Sequence, residues 1–391
     1  MATTSTVSPP VVSLQSKLPN IGTSIFSEMS KMATQYDAIN LSQGFPDFDC
    51  DPRLIGLVSE YMQKGFNQYA PSNGLFALRS ILADKINKSY DANVDPEKEI
   101  TITAGATQAL FTTINSLIKE GDEVLLVDPA YDSYGPSVKL AGGLPISVPL
   151  RKPNYSIPWD EVKQKISFRT RMIVLNYPHN PSGAILREAD LIELQRIVEG
   201  TNIVILSDEV YEHLVYDGEK HLSLLGSKLA DRTIAVYSFG KAVHATGWKL
   251  GYCVAPPFLM KEFRKVHQFN VFSVNTPIQM ALADYYADSS VYENITPFYQ
   301  AKRDFFLSLM QQSKFKFLPT KGTYFQLMNF SEVAPDMKDR EFVEWLVKEH
   351  GVAAIPISGF YSDKIDDQMV RFCFAKKEET LTKAAEKLCQ I

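Results

Sequence analysis

The sequence of 391 residues lacks several features that mark common classes of protein. Its four cysteines are far apart and form no CxxC pair, which argues against a zinc site or a disulfide framework and favours a reducing compartment. The six histidines form no His-x-x-x-His or His-x-His pair, so no metal site is expected. No GxGxxG motif follows an apolar run, which disfavours a nicotinamide dehydrogenase.

Charge and hydropathy exclude two further classes of partner. The formal net charge is −5, and the 40 basic and 45 acidic residues are well mixed, so no basic stripe predicts binding to nucleic acid. No apolar run approaches the ~18 residues that cross a bilayer, so no membrane partner is expected. Residues 1–12 are rich in Ser, Thr and Pro and resemble neither a signal nor a transit peptide. They predict a short disordered arm on a cytoplasmic protein.

Length and periodicity predict two domains. A chain of this length with 45% hydrophobic residues is too long for one compact core of ordinary size. Short β-branched runs alternate with helical patterns, which is typical of a mostly parallel sheet covered on both faces. These runs are Glu123 to Val127, Met172 to Leu175, Ile203 to Leu206, Thr233 to Tyr237 and Leu250 to Val254. We expect a large α/β domain over residues 49–288.

The remaining residues, 1–48 and 289–391, predict a smaller α+β domain that includes the N-terminal arm. Helical spacing is found in Thr107 to Leu117, Ala189 to Val198, Gln279 to Tyr286, Tyr292 to Gln312, the region near Arg340 to Lys348 and the C-terminus. Strands are expected at Tyr324 to Met328, Val352 to Ile357 and Met369 to Phe374. The longest of these helices is of the kind that connects domains.

A lysine and an aspartate follow two of the predicted strands. Lys241 lies just past the strand that ends at Tyr237, and Asp208 follows the strand that ends at Leu206. Open α/β sheets bind ligands at the carboxyl ends of their strands. Singly, such a lysine is usually a solvated charge and such an aspartate a helix cap. Together they suit pyridoxal-5′-phosphate (PLP), because the amine can form an imine with its aldehyde and the carboxylate can keep its pyridine nitrogen protonated.

The residues around Lys241 resemble a known motif. Ser238-Phe239-Gly240-Lys241, followed by Gly247-Trp248-Lys249-Leu250-Gly251-Tyr252, is similar to the lysine-attachment motif of class I aminotransferases, which are fold-type I PLP enzymes. The resemblance extends from Leu41 to Arg371. It implies that Lys241 carries PLP as a Schiff base and that Ser238 and Lys249 bind the cofactor phosphate. A lysine binds phosphate as a point charge, without the two-pronged geometry of an arginine.

The resemblance assigns further residues around the cofactor. Gly105, Ala106 and Thr107 match the family's phosphate cup at a helix N-terminus, although alone they would be an ordinary strand-helix turn. Tyr131 matches the aromatic residue that stacks on the cofactor ring, where a core tyrosine would otherwise be expected.

The turn Asn176-Tyr177-Pro178-His179-Asn180-Pro181-Ser182-Gly183 resembles the family's Asn-x-x-x-Asn-Pro-x-Gly segment. By this resemblance Asn180 binds the phenolic oxygen of the cofactor and faces the substrate carboxylate. Tyr211 donates to the same phenolic oxygen, which lowers the pKa of the imine. Asn176 is a weaker candidate for a contact with the same part of the cofactor.

Substrate contacts are implied in the same way. Arg371 matches the arginine that binds the substrate α-carboxylate with two hydrogen bonds, although an arginine in a strand more often faces solvent at an edge. Gly44 matches a backbone contact to that carboxylate. Phe26, and Phe272 from a partner subunit, are candidates for the side-chain pocket, and Tyr69 resembles a tyrosine that reaches the neighbouring subunit's phosphate. The resemblance therefore implies a homodimer with shared active sites.

The implied activity is a ping-pong transfer of an amino group to a 2-oxo acid, with Lys241 as general base and Asp208 maintaining the ring proton. Family members that prefer aspartate carry a second arginine in the region that matches Val271 to Asn275, which contains none. The sequence is closest to the methionine and kynurenine aminotransferase branch. Expected amino donors are methionine, phenylalanine, tyrosine, kynurenine and glutamine-like amino acids.

Two alternatives share the cofactor. A PLP-dependent C–S β-lyase, acting on cystathionine or cysteine conjugates, would use the same lysine, and the motifs do not separate it from a transaminase. A PLP-binding regulator would need an added DNA-binding domain, for which the roughly forty residues before Gly44 are too few.

Overall fold

The computed structural model describes residues 14–19 and 21–391, so the predicted arm at residues 1–12 lies outside the described residues. The strands are β1 (Ile39–Asn40), β2 (Ile100–Thr103), β3 (Glu123–Asp128), β4 (Leu144–Pro149), β5 (Thr170–Asn176), β6 (Val204–Asp208), β7 (Thr233–Ser238), β8 (Gly251–Val254), β9 (Phe325–Asn329), β10 (Val352–Ala353), β11 (Ile355–Pro356) and β12 (Met369–Cys373). Within the described ranges no helix has both the length and the apolar composition needed to cross a bilayer.

The α-helices surround these strands. They are α1 (Ile25–Gln35), α2 (Pro52–Gln63), α3 (Phe76–Tyr90), α4 (Ala106–Leu117), α5 (Tyr134–Leu140), α6 (Trp159–Lys165), α7 (Glu188–Val198), α8 (Phe239–Ala242), α9 (Pro257–Asn270), α10 (Thr276–Tyr286), α11 (Ser290–Glu293), α12 (Ile295–Met310), α13 (Asp339–His350) and α14 (Glu378–Leu388). Short 3₁₀ turns lie at Leu224–Gly226, Ala230–Arg232, Thr246–Trp248 and Ile357–Phe360.

A seven-stranded sheet has the order β2-β8-β7-β6-β5-β3-β4. All neighbouring strands are parallel except at β8, which runs antiparallel to β2 and β7. The residues of β3 and β6 are buried throughout, which explains why these strands appear in the sequence as continuous apolar runs. The predicted mostly parallel α/β fold is confirmed.

The central strands bring polar residues to one edge of this sheet. Asn176 at the end of β5 is in register with Asp208 at the end of β6, and β7 ends beside them at Ser238. Thr103 at the end of β2 pairs with Gly251 at the start of β8, so the chain enters α4 at the same edge. Candidate residues from distant parts of the sequence therefore meet at one place.

A second, three-stranded antiparallel sheet has the order β11-β12-β9, and β1 pairs in parallel with β10. In β12, Arg371 is in register with Leu327 on one side and Ile355 on the other. These strands contribute to a hydrophobic core that also includes residues of β3 and β5. The division into domains at residues 49–288 stays a prediction.

Two elements differ from their predicted bounds. The long helix expected from Tyr292 begins instead at Ile295, because Asn294 ends the short α11 and Pro297 in the first turn of α12 has no N–H to continue an earlier helix. The single strand expected over Val352 to Ile357 is divided at Ala354, because β10 pairs with β1 whereas β11 pairs with β12.

Candidate active site

A cavity of about 170 Å³ lies at the polar edge of the seven-stranded sheet. The predicted residues that line it are Gly105, Ala106, Thr107, Tyr131, Asn176, Asn180, Asp208, Tyr211, Ser238, Lys241 and Lys249. A larger crevice elsewhere runs between residues 152–157 and 303–321, and none of the predicted site residues line it. The small cavity is therefore the candidate active site.

One end of the cavity is built to hold an anion. Gly105 has a φ of +82°, and as the N-cap of α4 it has no side chain to occupy the free N–H groups of the first helical turn. A Cβ at Gly251 would lie 2.9 Å from the backbone nitrogen of Ala106, so the strand-helix turn closes tightly because this position is glycine. Lys249 and Ser238 face the same space. Backbone N–H groups, an ammonium and a hydroxyl are the donors that a phosphate group requires.

Lys241 lines the cavity from the short helix α8, directly after β7. Its Nζ donates a hydrogen bond to the backbone oxygen of Gly44 at 3.0 Å. Burial, together with the nearby charges of Arg371 and Lys249, lowers the pKa of this amine to about 8. About a tenth of the amine is therefore neutral at pH 7, far more than for an ordinary lysine, and a nucleophile or a general base requires this neutral form.

Asp208 is buried and lines the same cavity. Its Oδ2 accepts a hydrogen bond from the hydroxyl of Tyr134 at 2.5 Å, and its Oδ1 accepts one from the Val210 N–H at 3.3 Å. Burial raises the pKa of the Asp208 carboxyl to about 6, against the lowering effect of these two donors. The carboxylate is thus mainly ionised at neutral pH and can pair with a protonated ring nitrogen.

Tyr134 is a site residue that the sequence reasoning missed. It is the first residue of α5 and lies three positions after Tyr131, which lines the cavity. The two rings meet edge to face with centroids 5.7 Å apart. The Tyr134 N–H donates to the Tyr131 backbone oxygen at 3.2 Å and closes a turn, so a second tyrosine three positions after Tyr131 was the available signal.

Arg371 is buried, with 1% of its surface exposed, and so does not face solvent as most arginines in strands do. Its Nη1 donates to Oδ1 of Asn180 and its Nη2 to the backbone oxygen of Ser42, both at 2.8 Å. Among the described residues its Nε has no hydrogen-bond partner. Both acceptors are neutral, so the buried positive charge is matched to an incoming carboxylate.

Aromatic rings surround this guanidinium. The centroid of the Phe325 ring lies 3.8 Å from the Cζ of Arg371, and those of Phe26 and Phe360 lie 5.2 Å away. The ring of Phe26 is also 6.4 Å from that of Tyr131. Phe26 therefore lies beside Arg371 and Tyr131, and its role in the substrate pocket stays a prediction, whereas Phe325 and Phe360 were not foreseen.

Two predicted residues lie away from the cavity within one chain. Tyr69 and Phe272 are 80% and 59% exposed, and their rings meet edge to face at 5.0 Å. Neither lines the cavity. Their expected role was to reach the site of a partner subunit, and this role stays a prediction.

The hydroxyl of Tyr211 also remains a donor in these surroundings. The side chain is 3% exposed, and burial raises its pKa above the usual value, so the hydroxyl keeps its proton at neutral pH. Asn176 is tied to the same strand end because its Nδ2 donates to the backbone oxygen of Asp208 at 3.0 Å and its Oδ1 accepts from the Asn180 N–H at 2.9 Å. Asn176, Asn180 and Tyr211 therefore line the same cavity.

Comparison with known proteins gives an independent result. Residues 36–388 match the family model described as aminotransferase class I and II. The chain is 47% identical over 379 residues to the methionine aminotransferase of Escherichia coli (strain K12), covering 96% of this chain and 98% of that protein. It is 33% identical to kynurenine--oxoglutarate transaminase 1 of Rattus norvegicus, covering 95% of this chain and 96% of that protein.

Solved structures agree. The fold matches the crystal structure of an Escherichia coli protein identified with a methionine aminotransferase function, with a TM-score of 0.95 and 47% identity over 98% of this chain and 100% of that chain. It matches the N-succinyldiaminopimelate aminotransferase from Mycobacterium tuberculosis with a TM-score of 0.91 and 34% identity over 97% and 100% of the two chains. The predicted resemblance is confirmed, and the chain belongs to the class I and II aminotransferases, enzymes that use pyridoxal 5′-phosphate to transfer amino groups between amino acids and 2-oxo acids.

Proposed function

We propose that the cavity around Lys241 binds PLP and that the enzyme transfers the amino group of a neutral apolar or aromatic amino acid to a 2-oxo acid. The observation that carries this proposal is that the buried Lys241 amine shares a cavity with the buried carboxylate of Asp208 and is close enough to the buried guanidinium of Arg371 to feel its charge. Methionine, phenylalanine, tyrosine, kynurenine and glutamine are the proposed donors.

The polar side chains and backbone N–H groups of the cavity fit PLP. When bound, PLP supplies an aldehyde and a ring that accepts electrons from a substrate carbanion. Asp208 would hold the proton of the ring nitrogen, and the N-terminus of α4 with Ser238 and Lys249 would hold the phosphate. Tyr211 and Asn180 face the position proposed for the phenolic oxygen. Tyr131 lies at the wall where an aromatic ring can stack.

The chain's own residues would orient the substrate and move its proton. Among the described residues Nε of Arg371 has no hydrogen-bond partner, and each Nη has a second N–H, so the guanidinium can bind the α-carboxylate with two hydrogen bonds while Asn180 holds it in place. The neutral amine of Lys241 takes the proton from the substrate Cα. Its pKa of about 8 keeps it ready to accept that proton and to release it again.

The surroundings of Arg371 support a neutral side chain on the substrate. Phe26 and Phe360 lie beside the guanidinium, and residues 271–275 contain no arginine that could pair with a distal carboxylate. The methionine and kynurenine activities in the names of the relatives agree with this choice. Since those relatives are transaminases, the C–S β-lyase alternative is not favoured.

Substrate preference tests this proposal. Purified enzyme with PLP should turn over methionine or phenylalanine at least about tenfold more efficiently than aspartate, since a pocket without a second arginine leaves the distal carboxylate of aspartate desolvated and unpaired. The measurement is kcat/KM for each amino acid with a common 2-oxo acid. Faster turnover of aspartate would overturn the proposed specificity. Pyruvate and thiol released from cystathionine faster than an amino acid is formed would favour the lyase.

A homodimer is proposed on separate grounds. Exposed aromatic side chains occur close together in the sequence, Phe76 with Tyr69 and Phe269 with Phe272, and a partner subunit would cover them. The partner would then offer its Tyr69 and Phe272 to the cavity. The cytoplasmic location and the lack of nucleic acid or membrane partners stay predictions.

Mixing two inactive variants tests whether active sites are shared. Lys241→Ala and Tyr69→Ala should each lose most activity, and heterodimers formed from both should contain one intact site and one doubly altered site. Random exchange of subunits should therefore restore about a quarter of the wild-type activity per site. No recovery, in samples whose heterodimers are seen by native mass spectrometry, would contradict shared sites.

A further inference from the structure

Tyr324 contacts both Lys241 and the segment that contains Gly44. Its side chain is fully buried just before β9, and its hydroxyl donates a hydrogen bond to the backbone oxygen of Gly44 at 2.5 Å. The same oxygen accepts the hydrogen bond from Lys241 Nζ at 3.0 Å. The amine also lies 5.4 Å from the centroid of the Tyr324 ring. One carbonyl therefore receives both a hydroxyl and the candidate catalytic amine.

The next residue holds Gly44 from another direction. A Cβ at position 44 would lie 2.7 Å from Cζ of Phe325, closer than real contacts of this kind. Phe325 has no room to retreat, because its ring is 1% exposed and lies against the guanidinium of Arg371. Tyr324 binds the Gly44 carbonyl and Phe325 packs against the backbone at Gly44, so together they fix this carbonyl beside the Lys241 amine.

We propose that Tyr324 is a positioning residue whose hydroxyl fixes the Gly44 carbonyl as the acceptor for the free Lys241 amine. The inference deepens the proposed function and rests on it. A neutral amine that donates one N–H to this carbonyl keeps its lone pair available for a proton. Since the carbonyl already accepts a hydrogen bond from Tyr324, it is a weaker acceptor for the charged ammonium than a carbonyl without that bond would be. The carbonyl therefore holds the amine without strongly stabilising its protonated form.

The test is the pH dependence of chemical labelling of Lys241 in the full chain after removal of PLP. Competitive acetylation, quantified by mass spectrometry of the Lys241 peptide, reports the pKa of that amine without any turnover. Tyr324→Phe should raise this pKa by about half a unit to one unit, which slows labelling at pH 8 about two- to fivefold. Circular dichroism and thermal unfolding establish that each variant is folded.

Tyr299→Phe is the matched control. The ring of Tyr299 is also fully buried and lies 5.7 Å from that of Tyr324, but among the described residues its hydroxyl has no hydrogen-bond partner. Its removal should leave the labelling curve of Lys241 unchanged. An unchanged curve in Tyr324→Phe as well would overturn the proposal.

A second variant tests the same carbonyl should Tyr324→Phe fail to fold. Gly44→Ala displaces the carbonyl, because Phe325 blocks the added Cβ, and the amine then loses its acceptor. The pKa of Lys241 should fall in this variant, opposite to its rise in Tyr324→Phe. A rise or no change in Gly44→Ala would contradict the proposed role of the carbonyl.

Kinetics of the PLP-loaded enzyme separate this inference from the proposed function. Tyr324→Phe should lower kcat more than it raises KM, since the amine that moves the proton is perturbed. Phe325→Leu should mainly raise KM, since the guanidinium loses its supporting ring. A wild-type enzyme that labels as expected but transfers no amino group would refute the proposed function alone. A normal labelling pKa in Tyr324→Phe with altered kcat would refute the positioning role alone.

Discussion

Replacing Tyr134 by phenylalanine should weaken the binding of PLP in a pH-dependent manner. The hydroxyl of Tyr134 donates to Oδ2 of Asp208 at 2.5 Å, and both side chains are buried. Phenylalanine keeps the ring that packs against Tyr131 and removes only the donor. Because burial already raises the pKa of Asp208 to about 6, losing a donor to its ionised form should raise that pKa further.

The size of the shift follows from the hydrogen bond. A bond to a charged group contributes about 1.5–3 kcal/mol, and one pKa unit corresponds to about 1.4 kcal/mol, so the pKa of Asp208 should rise by about one to two units. At pH 7 the ionised fraction would fall from about nine-tenths to between a half and a tenth. If the ionised carboxylate is the form that holds the pyridinium, the apparent dissociation constant of PLP should rise about two- to tenfold at pH 7.

The assay is titration of the PLP-free protein with PLP, followed by absorbance, at pH values from 5 to 9. The pH at which affinity is half-lost should move upward by about one to two units in Tyr134→Phe. Tyr155→Phe is the control, because that buried hydroxyl has no hydrogen-bond partner among the described residues. The reasoning would be refuted by a Tyr134→Phe variant with the wild-type pH profile, or by the same shift in the control.

Two further predictions address the substrate end and the buried charges behind the site. Arg371→Lys should raise KM for methionine about a hundredfold, since an ammonium does not replace the two-pronged bond, and the binding of PLP should change little. Equal losses of methionine and PLP affinity would contradict that role. Lys85→Met should lower the free energy of unfolding by about 3–5 kcal/mol in urea denaturation, because Nζ of Lys85 lies 2.5 Å from an oxygen of buried Glu212, whose charge would be left unpaired. Adding Glu212→Leu should restore most of the lost stability. Lys85 and neighbouring donors hold the pKa of Glu212 at about 2 despite burial, so in the wild type the contribution of this carboxylate is complete above pH ~4.5 and fades as the pH falls towards 2. A loss of stability below about 1 kcal/mol in Lys85→Met would refute the buried-pair account.

The sequence was sufficient for the sheet because its central strands are buried on both faces. Continuous apolar runs such as those of β3 and β6 have no polar alternation, and parallel order follows from the helices between them. Parallel neighbours end at one edge of the sheet. This geometry explains why Asp208 and Lys241, recognised separately, line a single cavity.

Hydrogen bonds between residues far apart in the sequence could not be predicted from local patterns. Tyr134 is 74 residues from Asp208, and Tyr324 is 280 residues from Gly44, so no local pattern marks either hydrogen bond. Arg371 has the residue type of a solvent-facing position, yet the Asn180 and Ser42 oxygens and the ring of Phe325 compensate for its burial. Such compensation exists only in the folded chain.

Borohydride reduction of the PLP-loaded protein, followed by peptide mass spectrometry, tests the assignment of Lys241 most directly. Reduction converts an imine between PLP and an amine into a stable link, so the modified residue is identified chemically. The pyridoxyl group should be found on Lys241, and Lys241→Ala should lose both this product and the reducible visible band. A band that survives in Lys241→Ala, or a modification found on Lys249 instead, would contradict it.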